Sequence, residues 1–151
     1  MINELKKLGS AGFSLMEILI VLTLMGVVIG FVGTNLSNKL QEGRISSAKI
    51  QIKSFEDLLK NYDRDCNQFP TTEQGLMALV EKSTQGPECA NYSMGGYLDS
   101  SRSKEGKVPL DPWGNDYAYE SDGKTFVIIS YGKDGEEGGE KFDADIRSTD
   151  L

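Results

Sequence analysis

The groups of this chain that could do chemistry are carboxylates and two cysteines, for there are 23 acidic residues, two cysteines and no histidine in 151 residues. Three placements stand out. Glu17 is the one charge in an apolar run from Phe13 to about Val32. Cys66 and Cys89 are the only thiols. Between Asp134 and Asp145 come Glu136, Glu137, Glu140 and Asp143, interleaved with Gly135, Gly138 and Gly139. Without histidine there is no Ser-His-Asp or Cys-His catalysis, no His-ligated zinc and no imidazole pH switch. Neither a P-loop nor a Gly-x-Gly-x-x-Gly motif is present. Carboxylates alone could run acid–base chemistry, yet no pair is marked by its surroundings, so the chain reads as a non-enzyme.

The acidic segment has the composition of a hard-cation site. Calcium takes six to eight oxygen ligands from carboxylates and backbone carbonyls, and glycine lets a backbone fold tightly enough to present those carbonyls. From composition alone, a solvated acidic loop is the favoured reading of these residues. Asp63-Arg64-Asp65-Cys66-Asn67 begins like an EF-hand loop, but Gln68 stands where Gly is required and Gln74 where Glu is required, so the segment reads as a helix end. The cysteine spacing fits neither a Cys-x-x-Cys redox site nor a zinc site. A disulfide would close a loop of about two dozen residues and contribute about 3 kcal/mol in the chain-entropy model, the alternative being two unpaired thiols.

Around Glu17 the run is about 20 residues, enough at 1.5 Å per residue to cross a hydrocarbon core of roughly 30 Å. It reads as a membrane-spanning helix. The small residues Gly9-Ser10-Ala11-Gly12 precede the run and no Ala-x-Ala follows it, so a cut leader would end at Gly12-Phe13 and leave the helix on the mature chain. Lys6 and Lys7 put the N-terminus in the cytoplasm and the remainder outside. An acid near the centre of such a span costs on the order of 2.5–3.5 kcal/mol, less near its end, and is usually paired. Cutting after Gly12 would create an amine on Phe13 about one helical turn from Glu17. The alternative is a glutamate that snorkels to the headgroups.

Beyond the span, Leu36, Leu40, Ile45, Ala48, Ile52, Phe55, Leu59 and Tyr62 recur near the helical period, with Lys39, Glu42, Arg44, Lys49, Lys53 and Lys60 on other faces. Span and stripe together predict one helix of about 50 residues. Gly26, Gly30 and Gly33 fall within the span; their Gly-x-x-x-Gly spacing permits close helix packing, and tolerated membrane glycine is the alternative. Thr71 and Gln74 predict a capping box opening a short helix with Leu76, Leu79 and Val80 on its apolar face. Asp111-Pro112-Trp113-Gly114 is a turn whose Trp113 anchors a sheet edge. Asp116–Glu120 and Lys124–Tyr131 read as strands joined through Ser121-Asp122-Gly123, with Phe126-Val127-Ile128-Ile129 central against the helix. The net charge of −7 disfavours nucleic acid as a partner, which needs clustered Lys and Arg. The length left after a leader and a span suits one small outer domain.

Gly12-Phe13-Ser14-Leu15-Met16-Glu17-Ile18-Leu19-Ile20-Val21 resembles the type IV pilin-like signature of prepilins and pseudopilins. The resemblance implies a prepilin peptidase that cuts between Gly12 and Phe13 and methylates Phe13, Glu17 as the residue that aligns subunits in a filament, and glycines of the span that unwind locally on assembly. Phe69-Pro70-Thr71-Thr72-Glu73-Gln74-Gly75-Leu76, Asp111-Pro112-Trp113-Gly114-Asn115 and Tyr131-Gly132-Lys133-Asp134-Gly135, followed by Gly138-Gly139, resemble in this order the major pseudopilins of the type II secretion system. The cysteine pair departs from that pattern.

This narrower resemblance implies an α+β, type IV pilin-like fold: a long helix, membrane-spanning in its first half, packed on a small antiparallel sheet with a calcium-binding C-terminal loop. Residues 1–12 would be the leader, 13–33 the membrane and assembly helix, 34–63 its amphipathic continuation and 64–151 the periplasmic head. The implied calcium ligands are the Tyr131 carbonyl and Asp134, with Asp143 as second carboxylate and Asp145 as runner-up; Lys141 stands where an acid is expected. The implied function is the major structural subunit of a periplasmic pseudopilus that drives folded proteins across the outer membrane. Its implied partners are further copies, minor pseudopilins, the prepilin peptidase and an inner-membrane secretion platform, with a separate ATPase as motor. A type IV pilin of a surface fibre and a membrane-anchored calcium-binding module are the alternatives.

Overall fold

The computed structural model describes residues 12–98 and 106–151, with the side chains of 31–35 excepted. Lys6, Lys7 and the rest of the leader to residue 11 lie outside the described residues. The chain divides into two units, one ending at Lys39 and the other Leu40–Leu151.

One α-helix, α1, runs Leu15–Cys66 and belongs to both units. The Ser14 carbonyl accepts from the Glu17 and Ile18 N–H groups at 2.9 and 3.2 Å, which opens the first turn. The helix is unbroken through Gly26, Gly30 and Gly33. It stops where Asn67 takes φ 58 and donates its N–H to the Asp63 carbonyl at 2.6 Å, a left-handed cap that asparagine tolerates better than most residues. The predicted helix end at Asp63–Asn67 is therefore present. Among the described residues no helix is long and apolar enough to cross a membrane. The part of the apolar run with described side chains, from Leu15 to Gly30, spans about 24 Å at helical rise.

In the second unit the predicted stripe is the core. Ala48, Ile52, Phe55, Leu59 and Tyr62 are buried and Ile45 is partly so, whereas Leu40 of the same stripe is 60% exposed. In the first unit Leu36, also assigned to it, is 57% exposed. Periodicity marks one face of the helix and does not say where its partner ends. Fully burying a side chain such as Ile52 or Leu59 stabilises by about 1.5–3 kcal/mol. Against this stripe pack Leu76, Ala78, Leu79, Leu98, Tyr117, Tyr119, Ile128 and Ile146.

The sheet has three antiparallel strands among the described residues, β1 (Ala118–Ser121), β2 (Phe126–Ser130) and β3 (Ile146–Arg147), in that order. Ala118 pairs with Ile129 and Ser121 with Phe126, so β2 is central as expected. Strand β1 starts two residues later than predicted and takes in Ser121, because Ser121 exchanges bonds with the Thr72 hydroxyl, accepting at 3.0 Å and donating its N–H at 2.8 Å. The turn is held by Asp122, whose Oδ1 accepts from the N–H groups of Lys124 and Thr125 at 2.8 Å each. Strand β3 was not expected: its two residues pair Ile129 with Arg147 and Ser130 with Ile146, too short a segment to show a period.

The capping box forms by half. Gln74 Oε1 accepts the Thr71 N–H at 3.0 Å as the motif requires, but the Thr71 hydroxyl is buried without a partner among the described residues. The Thr71 carbonyl instead accepts the Gly75 N–H at 2.9 Å, and Gly75 at φ 60, ψ −172 cannot be helical, so only a 3-10 turn, Leu76–Leu79, follows. Of the expected apolar face Leu76 and Leu79 are buried, Val80 caps the turn and is partly buried, and Ala78 joins them.

Candidate functional site

The first unit presents its apolar side chains. Phe13, Leu15, Met16, Ile18 to Leu22, Leu24, Met25 and Val27 to Ile29 are between 43% and 82% exposed. Glu17 lies in the first turn of α1, where a carboxylate is favoured by the unpaired N–H groups and the helix dipole. Local helix electrostatics thus reward an acid here, on a surface otherwise apolar. Gly12 and Phe13 precede the helix and are exposed. A Cβ built on Gly26 or Gly30 would meet nothing within 4 Å, which leaves both faces open to another helix.

The disulfide between Cys66 and Cys89 is formed, with Cα atoms 4.8 Å apart. It ties the last residue of α1 to the long connection between Val80 and β1. Around it Tyr62, Tyr92 and Tyr97 meet with ring centroids 5.3 to 6.2 Å apart. Tyr97 donates to Asp65 Oδ2 and Tyr92 to the Ala78 carbonyl, each at 3.0 Å. Gln74, buried at 6% exposure, donates its amide to the Gln85 and Pro87 carbonyls at 2.8 and 3.2 Å. Burial pushes the Tyr92 phenol up to about 12, with help from the neighbouring tyrosines and Glu81.

The acidic segment is the connection from β2 to β3. Lys133 N–H donates to the Phe142 carbonyl at 3.1 Å and Asp143 N–H to the Glu140 carbonyl at 3.1 Å. The fold of this loop requires glycine at position 139: its φ is 80, and a Cβ there would collide with the Asp143 carbonyl oxygen. Lys141 adopts φ 59, the left-handed region, without that freedom.

Asp134 Oδ1 accepts the Glu136 N–H at 3.2 Å, and the Asp143 carboxylate has no hydrogen-bond partner among the described residues. Asp145 differs, since Oδ1 accepts from Gly138 N–H and Oδ2 from Arg147 Nη2, both at 3.0 Å. Of the carboxylates assigned to a cation, Asp134 and Asp143 therefore each keep an oxygen with no hydrogen bond among the described residues, whereas both oxygens of Asp145 accept one. Among the described residues no three acidic or cysteine side chains converge as a metal cluster. The donors on offer are oxygen only, which suits calcium or magnesium and not zinc.

The loop stands on a bracket that includes residues outside the expected ligand set. Asp111, 5% exposed, accepts from Trp113 N–H at 3.0 Å, Asn115 N–H at 2.8 Å and the fully buried Ser130 hydroxyl at 2.7 Å. Asn115 donates its amide to the Gly132 carbonyl at 3.2 Å and packs where a Cβ on Gly135 would fall. Trp113 Nε1 donates to Gln41 on α1 at 2.9 Å. The turn thus joins helix, strand and loop. An Asx turn was readable locally in Asp-x-Trp-x-Asn; the partnership with Ser130 was not.

The family described as Type II secretion system (T2SS), protein G matches residues 35–149. The type II secretion system core protein G of Vibrio cholerae is 41% identical over 142 residues, which are 93% of this chain and 92% of that protein. Its counterpart in Pseudomonas aeruginosa is 37% identical over 142 residues, 93% of this chain and 95% of that one. The crystal structure of the major pseudopilin from the type 2 secretion system of enterohaemorrhagic Escherichia coli is similar with a TM-score of 0.63 at 34% identity, covering 78% of this chain and 96% of that chain.

Proposed function

Because the chain belongs to the protein G family of the type II secretion system, and is a structural subunit of its pseudopilus, we propose how its residues carry out that role. The observation that carries the reading is the exposed apolar helix with a single acid in its first turn. In water such a surface would be costly, at about 25 cal/mol per Å²; a bilayer first, and neighbouring subunits afterwards, are the two environments that cover it.

The chain enters the inner membrane as a single pass, its N-terminus cytoplasmic and its head periplasmic. A prepilin peptidase cuts between Gly12 and Phe13 and methylates Phe13. The cut creates an amine near Glu17, and an acid in hydrocarbon gains most from a charged partner. Pairing of Glu17 with the Phe13 amine of a neighbouring chain sets the axial step of a homopolymer. Minor pseudopilins and the inner-membrane platform guide that assembly, and a separate ATPase powers it. The chain itself contributes structure and not catalysis. The Cys66–Cys89 disulfide suits an oxidising periplasm.

The loop after β2 binds calcium through the Tyr131 carbonyl and the carboxylates of Asp134 and Asp143. The ion would tie the two arms of the loop across its glycine turns and stabilise the head.

N-terminal sequencing of the membrane-extracted chain tests the processing step: a mature start at Phe13 is expected, and an intact leader would overturn it. For calcium, chelation should lower the melting temperature of the full chain in detergent and Asp134→Ala should abolish the difference. An unchanged melt on chelation would refute the site.

A further inference from the structure

Asp145 is nearly covered, with its side chain 10% exposed, and both its oxygens are engaged. The closure is reciprocal, because the Asp145 N–H returns to the Gly138 carbonyl at 3.2 Å while the Gly138 N–H reaches Asp145 Oδ1 at 3.0 Å. Gly138 and Asp145 thereby form the neck of the loop. Beside it stands Arg147, bonded to Asp145 Oδ2 at 3.0 Å and 3.7 Å from a Glu137 oxygen. Arg147 is no free surface cation: it belongs to β3, where its backbone pairs with Ile129 of the central strand. The sheet therefore holds the guanidinium against the two arms of the loop at the level of Glu137 and Asp145.

We propose that Arg147 is a positioning residue that closes the neck of the cation loop, taking Asp145 out of the ligand set and leaving Asp134 and Asp143 as the carboxylates open to the ion. This rests on the calcium reading above for its consequence, but not for the closure itself. A guanidinium on a carboxylate makes a charge-assisted bond stronger than a neutral one and fixed in direction. A loop already closed loses less freedom when the ion arrives, so affinity rises without a further ligand. Asp145 and Arg147 act as one device: removing either should cost the same, and removing both should cost little more.

The test uses the full chain in detergent micelles. With calcium chelated, hydrogen exchange at the Gly138 and Asp145 amides should quicken by at least about tenfold in Arg147→Gln, while the amides of β1 and β2 keep their protection. Arg147→Lys, which keeps the charge and loses the fork, should restore part of it. Unchanged exchange at those two amides would overturn the closure. In calcium titrations, Arg147→Gln and Asp145→Asn should each weaken binding by a similar factor of about three to ten, the double variant no further, and Asp143→Asn should remove binding altogether. Loss of binding in Asp145→Asn but not in Arg147→Gln would make Asp145 a ligand and refute the assignment, and tighter binding in Arg147→Gln would refute preorganisation. Failure of the unmodified chain to take up calcium would sink the calcium reading alone, and the exchange result would still decide the role of Arg147.

Discussion

Replacing Asp111 should loosen the head from the foot of its loop, by an amount that follows from the donors it serves. The carboxylate takes three hydrogen bonds, from Trp113 N–H, Asn115 N–H and the Ser130 hydroxyl, at 2.7 to 3.0 Å, and it is 5% exposed. Asp111→Ala orphans all three donors. An unsatisfied buried donor costs about 1–3 kcal/mol. Ser130 is fully buried and belongs in the upper half of that range, whereas Trp113 and Asn115 are partly exposed and water can reach their N–H groups. The sum is about 4 kcal/mol. Asp111→Asn keeps Oδ1 for the two backbone donors and turns its amide toward Ser130, whose hydroxyl can accept; the cost should be about 1–2 kcal/mol. For a head of this size 1 kcal/mol moves the melting temperature by about 4 °C, so the expected losses are about 16 °C for Asp111→Ala and about 6 °C for Asp111→Asn. Thermal unfolding followed by circular dichroism, at fixed detergent and with calcium chelated, reads both. Equal melting temperatures for the two variants, or Asp111→Ala within about 3 °C of the unmodified chain, would refute the bracket and with it the route from Gln41 through Trp113 to the loop.

Further outcomes follow from the disulfide, the strained lysine and the buried phenols. Cys89→Ser should destabilise the head by about 3 kcal/mol, and reductant should lower the melting temperature of the unmodified chain by the same amount while leaving the variant unaffected; an effect of reductant on the variant would argue against this origin. Lys141→Gly relieves a left-handed lysine at φ 59 and should stabilise by about 0.5–1 kcal/mol in a denaturant titration, whereas destabilisation would mean that the Lys141 side chain holds the loop. Burial raises the phenols of Tyr92 and Tyr119 to about 12 and that of Tyr117 still further, the last reinforced by Asp111. A raised folded value stabilises fully below the ordinary phenol value of about 10 and is lost above it. Stability should therefore fall steeply between about pH 10 and 12, with the phenolate absorbance at 295 nm rising together with unfolding and not before it; phenol ionisation in the still-folded head would contradict that order.

Local patterns carried the helix, its buried stripe from Ile45 to Tyr62 and the Asp122-Gly123 hairpin, because each depends on residues within a few turns of one another. What escaped was set at long range. Strand β3 is two residues whose pairing to Ile129 and Ser130 is imposed by the closing of the loop, not by their own propensity. Leu36 and Leu40 share the stripe's period, but exposure is decided by where the head ends. The Thr71 box failed at its hydroxyl because Gly75 cannot enter a helix in the backbone conformation it adopts. In the site, the acids and glycines were visible as an oxygen-rich loop, yet the engagement of both Asp145 oxygens, by Gly138 and Arg147, was not. A signal existed: Asp145 and Arg147 are two apart at a strand, a spacing that places both on one face. Asp111 and Asn115 announced a turn, and only the fold shows that Ser130 and Gly132 depend on it.

The role of Glu17 is the claim on which filament formation depends, and electron microscopy of filaments from cells producing this chain with its secretion platform tests it directly. The unmodified chain should assemble, and Glu17→Ala should insert and be cut at Gly12-Phe13 yet yield no filaments. Filaments of normal number and length from Glu17→Ala would contradict the account.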